Sequence, residues 1–115
     1  MNKMTINNVA AVIEYDSDIE MFRGEFVGLN GGADFYGSDV VSLKSEGHRS
    51  LEEFLVMCEE RNITPYKNYS GKFNIRIDPE LHEKAVVFAS THKESLNSLV
   101  ARSIERAITE EAIGY

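Results

Sequence analysis

Polar and apolar side chains alternate in the segment Lys72–Asp78, and the polar ones are of the types that read DNA bases. In a strand the two sets lie on opposite faces. The polar set is Lys72, Asn74 and Arg76, and the apolar set is Phe73, Ile75 and Ile77. Lysine and arginine bond guanine, asparagine pairs with adenine, and the major groove admits a two-stranded ribbon. The pattern predicts a base-reading strand, with an edge strand whose polar side faces water as the alternative.

Two helices are predicted after this segment. Asp78 is a good N-cap residue and Pro79 suits the first helical position. The first helix has an apolar face made of Leu81, Ala85, Val86, Phe88 and Ala89. After a break at residues 92–94, Ser95 can cap a second helix. Its pattern repeats at three and four residues through Leu96, Leu99, Val100, Ser103, Ile104, Ala107 and Ile108.

A single short strand followed by two helices cannot cover its own apolar side. A lone strand is unstable without a partner strand, and the module is too small to bury one internally. Two chains that pair their strands about a twofold axis would bury the apolar sides and present two polar sides outward. The sequence therefore predicts a homodimer through this ribbon, and it leaves open whether dimers assemble into tetramers.

The first half of the chain predicts a separate α+β module. Val9–Tyr15 and Met21–Val27 have the patterns of paired strands, and residues 33–37 form a short third strand after the turn at residues 29–32. An amphipathic helix follows from Val41 to Arg61, with Gly47 as a point of weakness. We therefore predict a three-stranded antiparallel meander with one helix over residues 1–64, a linker over 65–71, and the strand-helix-helix module over 72–115.

Charge is divided unequally between the two halves. The chain carries a net charge of −7, but residues 1–67 hold 12 acidic against 6 basic side chains, whereas residues 68–115 hold 7 against 6. A protein surface of one charge attracts partners of the opposite charge. The acidic first half therefore favours a basic partner, and only the nearly neutral second half is suited to DNA.

Composition excludes several other classes of protein. No apolar run is long enough to cross a membrane, and the first residues lack the pattern of a secretory signal, so a cytoplasmic location is expected. Cys58 has no second cysteine to pair with. The histidines, at positions 48, 82 and 92, have poor spacing for a metal site. No cofactor and no metal are expected.

Both halves resemble the HicB family of antitoxins. The stretch from Tyr69 to His82, together with that from Ser95 to Ile108, resembles the ribbon-helix-helix tail of that family. The first half is similar to the family's N-terminal domain, a partial RNase H-like fold, through Ala11–Tyr15, the strand that ends at Phe26, and Leu51–Cys58. The two stretches cover most of residues 9–110.

The resemblance implies two partners. One is a HicA-type toxin, a small basic ribonuclease that cleaves mRNA and whose catalytic histidine the N-terminal domain blocks. The other is the double-stranded operator DNA of the protein's own operon, read by Lys72, Asn74 and Arg76 and anchored at a phosphate by the backbone of Ser95, Leu96 and Asn97. The acidic residues expected at the toxin are Glu14, Asp16, Asp18, Glu20 and Glu25.

The chain departs from the family pattern in two places. The first bears on DNA binding and the second on toxin binding. Many members have a glycine before the Lys-Ser that starts the second helix, whereas this chain has Lys93-Glu94-Ser95, which would place the Glu94 carboxylate near phosphate. The segment Gly31–Phe35 lacks the Gly-Cys that often opens the third strand, so toxin contacts there are not assigned to residues.

The sequence also bears on two other functions, a nuclease and a ligand-sensing repressor. An RNase H-like domain suggests a nuclease with paired carboxylates on metal ions, but Asp16, Asp18 and Glu20 cluster in one turn without a nucleophile or base, so no enzyme is expected. The alternative function is a ribbon-helix-helix repressor whose N-terminal domain senses a small ligand. A neighbouring gene for a small basic protein would distinguish the antitoxin from this sensor.

Overall fold

The chain has an α+β fold, as its sequence predicts, and divides into two compact units between Gly71 and Lys72. A computed structural model describes the backbone of residues 2–113 and the side chains of residues 2–111. The elements are β1 (Asn2–Ile6), β2 (Val9–Asp16), β3 (Met21–Phe26), β4 (Asp34–Gly37), α1 (Val40–Glu60), α2 (Pro79–Thr91) and α3 (Leu96–Ile113). None of these helices, over the described residues, has the length and apolar character to cross a membrane.

The first unit contains a four-stranded antiparallel sheet in the order β1-β2-β3-β4. The prediction of a three-stranded meander was wrong because it omitted β1. That strand shows a weak sequence signal, since Lys3 and Thr5 are exposed and only Met4 and Ile6 contribute apolar side chains to the core face. Tertiary pairing with β2, from Asn2 opposite Ile13 to Ile6 opposite Val9, makes it a strand.

A tight turn between β1 and β2 carried the signal that the prediction missed. Ile6 pairs with Val9, so the loop has only two residues, Asn7 and Asn8, with φ angles of 48° and 68°. Two-residue hairpin loops favour positive φ at both positions, and asparagine tolerates that conformation better than most residues. An Asn-Asn pair between two short apolar stretches was therefore a hairpin signal.

Helix α1 packs on one face of the sheet and forms the core with it. The buried residues are Ile6, Val9, Ala11, Phe26, Leu29, Phe35, Leu43, Leu51, Phe54 and Cys58. Gly47 does not break the helix. An added Cβ there would collide with the side chains of Ile6 and Phe35, so the glycine allows the sheet to approach α1 closely. The helical penalty of Gly47 is thus offset by packing.

Both ends of α1 are capped by local hydrogen bonds. The Asp39 carboxylate accepts the Ser42 N–H at 2.7 Å, and Ser42 Oγ accepts the Asp39 N–H in return, which forms a capping box. At the other end, Asn62 adopts a φ of 57° and the Ile63 N–H donates to the Cys58 carbonyl at 2.9 Å. This is the Schellman arrangement that ends helices.

The segment after α1 is hydrogen-bonded to the loop between β3 and β4. The Asn30 N–H donates to the Pro65 carbonyl at 2.8 Å, and the Lys67 N–H donates to the Gly28 carbonyl at 2.9 Å. The Asn30 side-chain amide donates to the carbonyls of Thr64 and Tyr66. The first residues of the predicted linker are therefore held by the first unit.

The second unit consists of the segment 72–78 and the helices α2 and α3. Asp78 caps α2, as its carboxylate accepts the Glu80 N–H at 2.8 Å. Lys93 adopts a φ of 56° at the end of α2, where glycine is favoured, and the Glu94 N–H donates to the Ala89 carbonyl. The predicted strand Lys72–Asp78 is not a strand in this single chain, because no strand of the described chain pairs with it.

We expect Gly37→Ala to destabilise the first unit. An added Cβ would lie within 2.6 Å of the Leu43 Cα, and backbone atoms cannot move aside as a flexible side chain can. Overpacking of this kind costs about 1–3 kcal/mol in the free energy of unfolding, which urea titration measures. Gly32→Ala is the control, since nothing lies within 4 Å of an added Cβ there. Equal stabilities of the two variants would contradict the close approach of Gly37 to the backbone of Leu43.

Candidate functional site

The segment Lys72–Asp78 is exposed on both its polar and its apolar sides. Lys72, Asn74 and Arg76 are all exposed. The apolar side chains are exposed as well, with Phe73 at 68% and Ile75 at 56%. Polar and apolar residues alternate in the sequence, but exposed and buried residues do not alternate in the single chain. The apolar side of this segment is uncovered surface.

Apolar side chains of both helices in the second unit are also exposed. In α2 and α3 the exposed large residues are Leu81, Val86, Val87, Phe88, Ile104 and Ile108. Ala89 is the buried apolar residue of α2, and Leu96, Leu99 and Val100 of α3 are half-buried. The helices thus bury only part of the apolar surface that their periodicity creates. Apolar surface left uncovered in this way is available to a partner.

The start of α3 contains the predicted phosphate anchor. Ser95 Oγ accepts the Ser98 N–H at 3.0 Å, so Ser95 caps the helix as predicted. The first N–H groups of a helix have no intrahelical acceptor. Leu96 and Asn97 occupy the first two positions of α3, so their backbone N–H groups lie at its positive end. The phosphate anchor at Ser95, Leu96 and Asn97 stays a prediction.

Glu94, just before this anchor, is bound by Arg102. Its Oε2 accepts from Arg102 Nη2 at 2.8 Å and its Oε1 from Arg102 Nε at 3.1 Å. Ser98 Oγ donates to the same Oε1 at 3.2 Å. The hydrogen bond from Arg102 is the largest cause of the lowered pKa of Glu94, and the bond from Ser98 lowers it further. In return, Glu94 raises the pKa of Arg102. The charge of the Glu94 carboxylate is therefore offset within the unit.

The acidic residues predicted for toxin binding divide into two groups. Glu14, Asp16 and Glu25 lie on the face of the sheet opposite α1, because their neighbours in β2 and β3 form the core. Asp18 and Glu20 lie in the turn between these strands. The five residues thus follow one hairpin. Asp16 Oδ1 accepts the Asp18 N–H at 3.0 Å, a bond that orders the turn.

Arg23 links carboxylates across the open face of the sheet. Its Nη1 lies 3.2 Å from Glu25 Oε2, and its Nη2 lies 3.2 Å from Asp34 Oδ2. Hydrogen bonds with the side chains of Tyr36, Glu25 and Asp34 raise the pKa of Arg23. Arg23, Asp34 and Tyr36 were not among the predicted site residues. Their alternate positions in β3 and β4 could have indicated this cluster, but only the strand register brings them together.

The carboxylate cluster at the hairpin shows no catalytic arrangement. Over the described residues, no group of three or more His, Cys, Asp or Glu side chains is arranged to hold a metal ion. Cys58, a possible nucleophile by residue type, is buried in the core. The expectation that the protein is not an enzyme stays a prediction.

Comparison with known protein families gives one match. The model of the HicB family matches residues 54–104. This stretch runs from the second half of α1 through the segment 72–78 and α2 into α3. Over these residues the chain is similar to the HicB family. Searches of curated proteins and of solved structures gave no match.

We expect Glu94→Gln to reduce the dependence of stability on acid pH. Because folding lowers the Glu94 pKa below the usual 4.5, the ion pair stabilises the fold above that pH, and the stabilisation is lost as pH falls through the folded-state pKa. Urea unfolding at several pH values between about 3 and 7 measures the slope. Asp39, whose pKa is also lowered, keeps its own contribution in the variant.

Glu105→Gln is the matched control for Glu94→Gln, because Glu105 is an exposed residue of α3 that forms no ion pair with a described residue. Its slope should match that of the natural chain. If both variants reduce the pH dependence of the unfolding free energy equally, the Glu94–Arg102 pair is not the cause of that dependence.

Proposed function

We propose that this protein is a HicB-type antitoxin. Its first unit, a partial RNase H-like domain, binds and neutralises a HicA-type mRNA-cleaving toxin. Its second unit, a ribbon-helix-helix module, dimerises and binds operator DNA to repress the protein's own operon. The family match to residues 54–104 and the division into two units support this proposal.

The uncovered apolar side of Lys72–Asp78 is the observation that carries the proposal. Phe73, Ile75 and Ile77 are exposed in a segment that belongs to no sheet of the described chain. Pairing with the same segment of a second copy would satisfy the backbone hydrogen-bond groups and cover these side chains with the exposed apolar residues of the helices. The polar residues of both strands would then form one outward face.

The composition of this outward face favours DNA over protein as its ligand. Each strand contributes Lys72, Asn74 and Arg76, which together offer donors for guanine and a bidentate partner for adenine. The backbone at the start of α3 would hold a phosphate and set the register of the ribbon on the duplex. The Glu94–Arg102 pair reduces the repulsion that a free carboxylate would cause there.

Arg76→Ala tests the DNA-binding half of the proposal. Loss of a bidentate base contact should weaken binding to the promoter DNA of the protein's own operon by about 1–3 kcal/mol and relax the base preference at one position in each half-site. Fluorescence anisotropy with native and single-base-changed duplexes measures both effects.

Lys84→Ala is the control, since it removes the same charge from an exposed residue of α2 whose ion pair is with the neighbouring Glu80. It should leave base preference unchanged and alter affinity only through the general salt-dependent attraction. Unchanged promoter binding by Arg76→Ala would contradict the assignment of this segment as the reading strand.

Co-expression with the neighbouring reading frame tests the toxin-binding half and the dimer together. We expect a small basic protein encoded there to co-elute with this chain in low salt, because opposite charges attract most strongly there. Light scattering should give the mass of at least two copies of this chain, with and without the toxin. A chain that elutes alone would favour the ligand-sensing repressor, and a monomer would contradict the ribbon.

A further inference from the structure

The outward face of α1 has an apolar centre that core packing does not explain. The buried positions of the helix are Leu43, Gly47, Leu51, Phe54 and Cys58. At 100° per residue, Val56 lies almost opposite their mean direction, and it is 50% exposed. Val56 and Met57 contribute to a shallow groove along this face. A β-branched residue at the most outward position of an exposed helix contributes little to the core and lowers helix propensity.

Carboxylates border this groove, and two of them form no ion pair with any residue whose side chain is described. The groove is lined by Glu52, Glu53 and Glu60, together with Arg49. Arg49 Nε pairs with Glu53 at 3.3 Å, and its Nη1 lies 3.9 Å from Glu46. Among the described residues, Glu52 and Glu60 form no ion pair. The border therefore keeps uncompensated negative charge on both sides of Val56.

The position of Glu60 makes this charge electrostatically unfavourable for the helix. The C-terminal end of a helix carries partial negative charge, so a carboxylate in the last turn is destabilising and a cation is preferred. Glu59 and Glu60 occupy that turn, and it contains no basic residue. Arg61 follows at the C-cap but forms no ion pair with either, within the part of the chain described. A cationic partner would relieve this repulsion.

We propose that the outward face of α1 is the docking surface for the basic toxin, and that it receives a cationic amphipathic segment of that protein. The inference depends on the toxin-binding role proposed above and assigns it to particular residues. Glu52 and Glu60 are eight residues apart, which at 1.5 Å per residue separates them by about 12 Å along the helix. The fitting segment carries two Lys or Arg side chains at this spacing, with an apolar side chain between them against Val56.

The α1 face is a different toxin-binding surface from the acidic residues of the β2–β3 hairpin that were predicted from the sequence. Glu25 is bound by Arg23, and Asp16 Oδ1 accepts a backbone N–H. Asp18 and Glu20 flank Ile19 in the short turn between β2 and β3, outside any helix. The α1 face combines free carboxylates with an apolar centre, and its negative charge disfavours nucleic acid. Charge complementarity selects a basic protein.

The double variant Glu52→Gln/Glu60→Gln tests the proposal against Asp18→Asn/Glu20→Gln. Both remove two negative charges, so a difference between them reports local contact rather than net charge. The probe is a HicA-type toxin from the neighbouring gene with its catalytic histidine replaced by alanine, and calorimetry measures its Kd. We expect the α1 variant to weaken binding about tenfold or more and the hairpin variant to change it less than about twofold. Val56→Ser should weaken binding without any change in charge.

Thermal unfolding of each variant separates contact from folding. The α1 variant should unfold at the same or a higher temperature than the natural chain, because glutamine removes the repulsion at the end of α1. Equal Kd values for the two double variants, weakening only in the hairpin variant, or a lowered unfolding temperature in the α1 variant would overturn the α1 assignment while leaving the antitoxin proposal intact. Absence of binding by the natural chain would overturn the antitoxin proposal and the α1 assignment with it.

Discussion

An extended backbone segment needs hydrogen-bonding partners and a cover for its apolar side, and Lys72–Asp78 has neither a paired strand nor a buried face in the single chain. The helices that follow leave apolar residues exposed for the same reason: no described residue of the second unit covers them. A proposed second copy would supply both requirements at once. The proposed base-reading role of Lys72, Asn74 and Arg76 depends on it, since a single unpaired segment holds no fixed outward face.

The first unit satisfies its own packing requirements and leaves its surface for binding. Gly47 lets the sheet approach α1 closely, and the capping bonds at Asp39 and Asn62 define where the helix begins and ends. A well-ordered helix can carry carboxylates in unfavourable positions because the core stabilises it independently. This separation of core from surface is why charge at the end of α1 can serve binding.

Much of the fold followed from local patterns in the sequence. Strands β2, β3 and β4 and the three helices were predicted within a few residues, because alternation and helical periodicity depend on which side chains face the core. Strand β1 was missed because it has few apolar residues, and only its pairing with β2 makes it a strand. The segment 72–78 was predicted as a strand from its alternation, yet a strand requires a partner that one chain does not contain.

The candidate site divides in the same way between sequence and tertiary structure. Residue types, their alternation and the unequal distribution of charge are properties of composition and local spacing, so the sequence alone determined them. They are the basis for predicting DNA as the partner of the second half and a basic protein as the partner of the first. Which charges remain free was decided by the fold. Strand register brings Asp34 of β4 to Arg23 of β3. The turn that precedes α3 places Glu94 against Arg102. Packing of α1 against the sheet leaves Val56 on the outward side of the helix. Each of these depends on distances between residues that the sequence order does not specify.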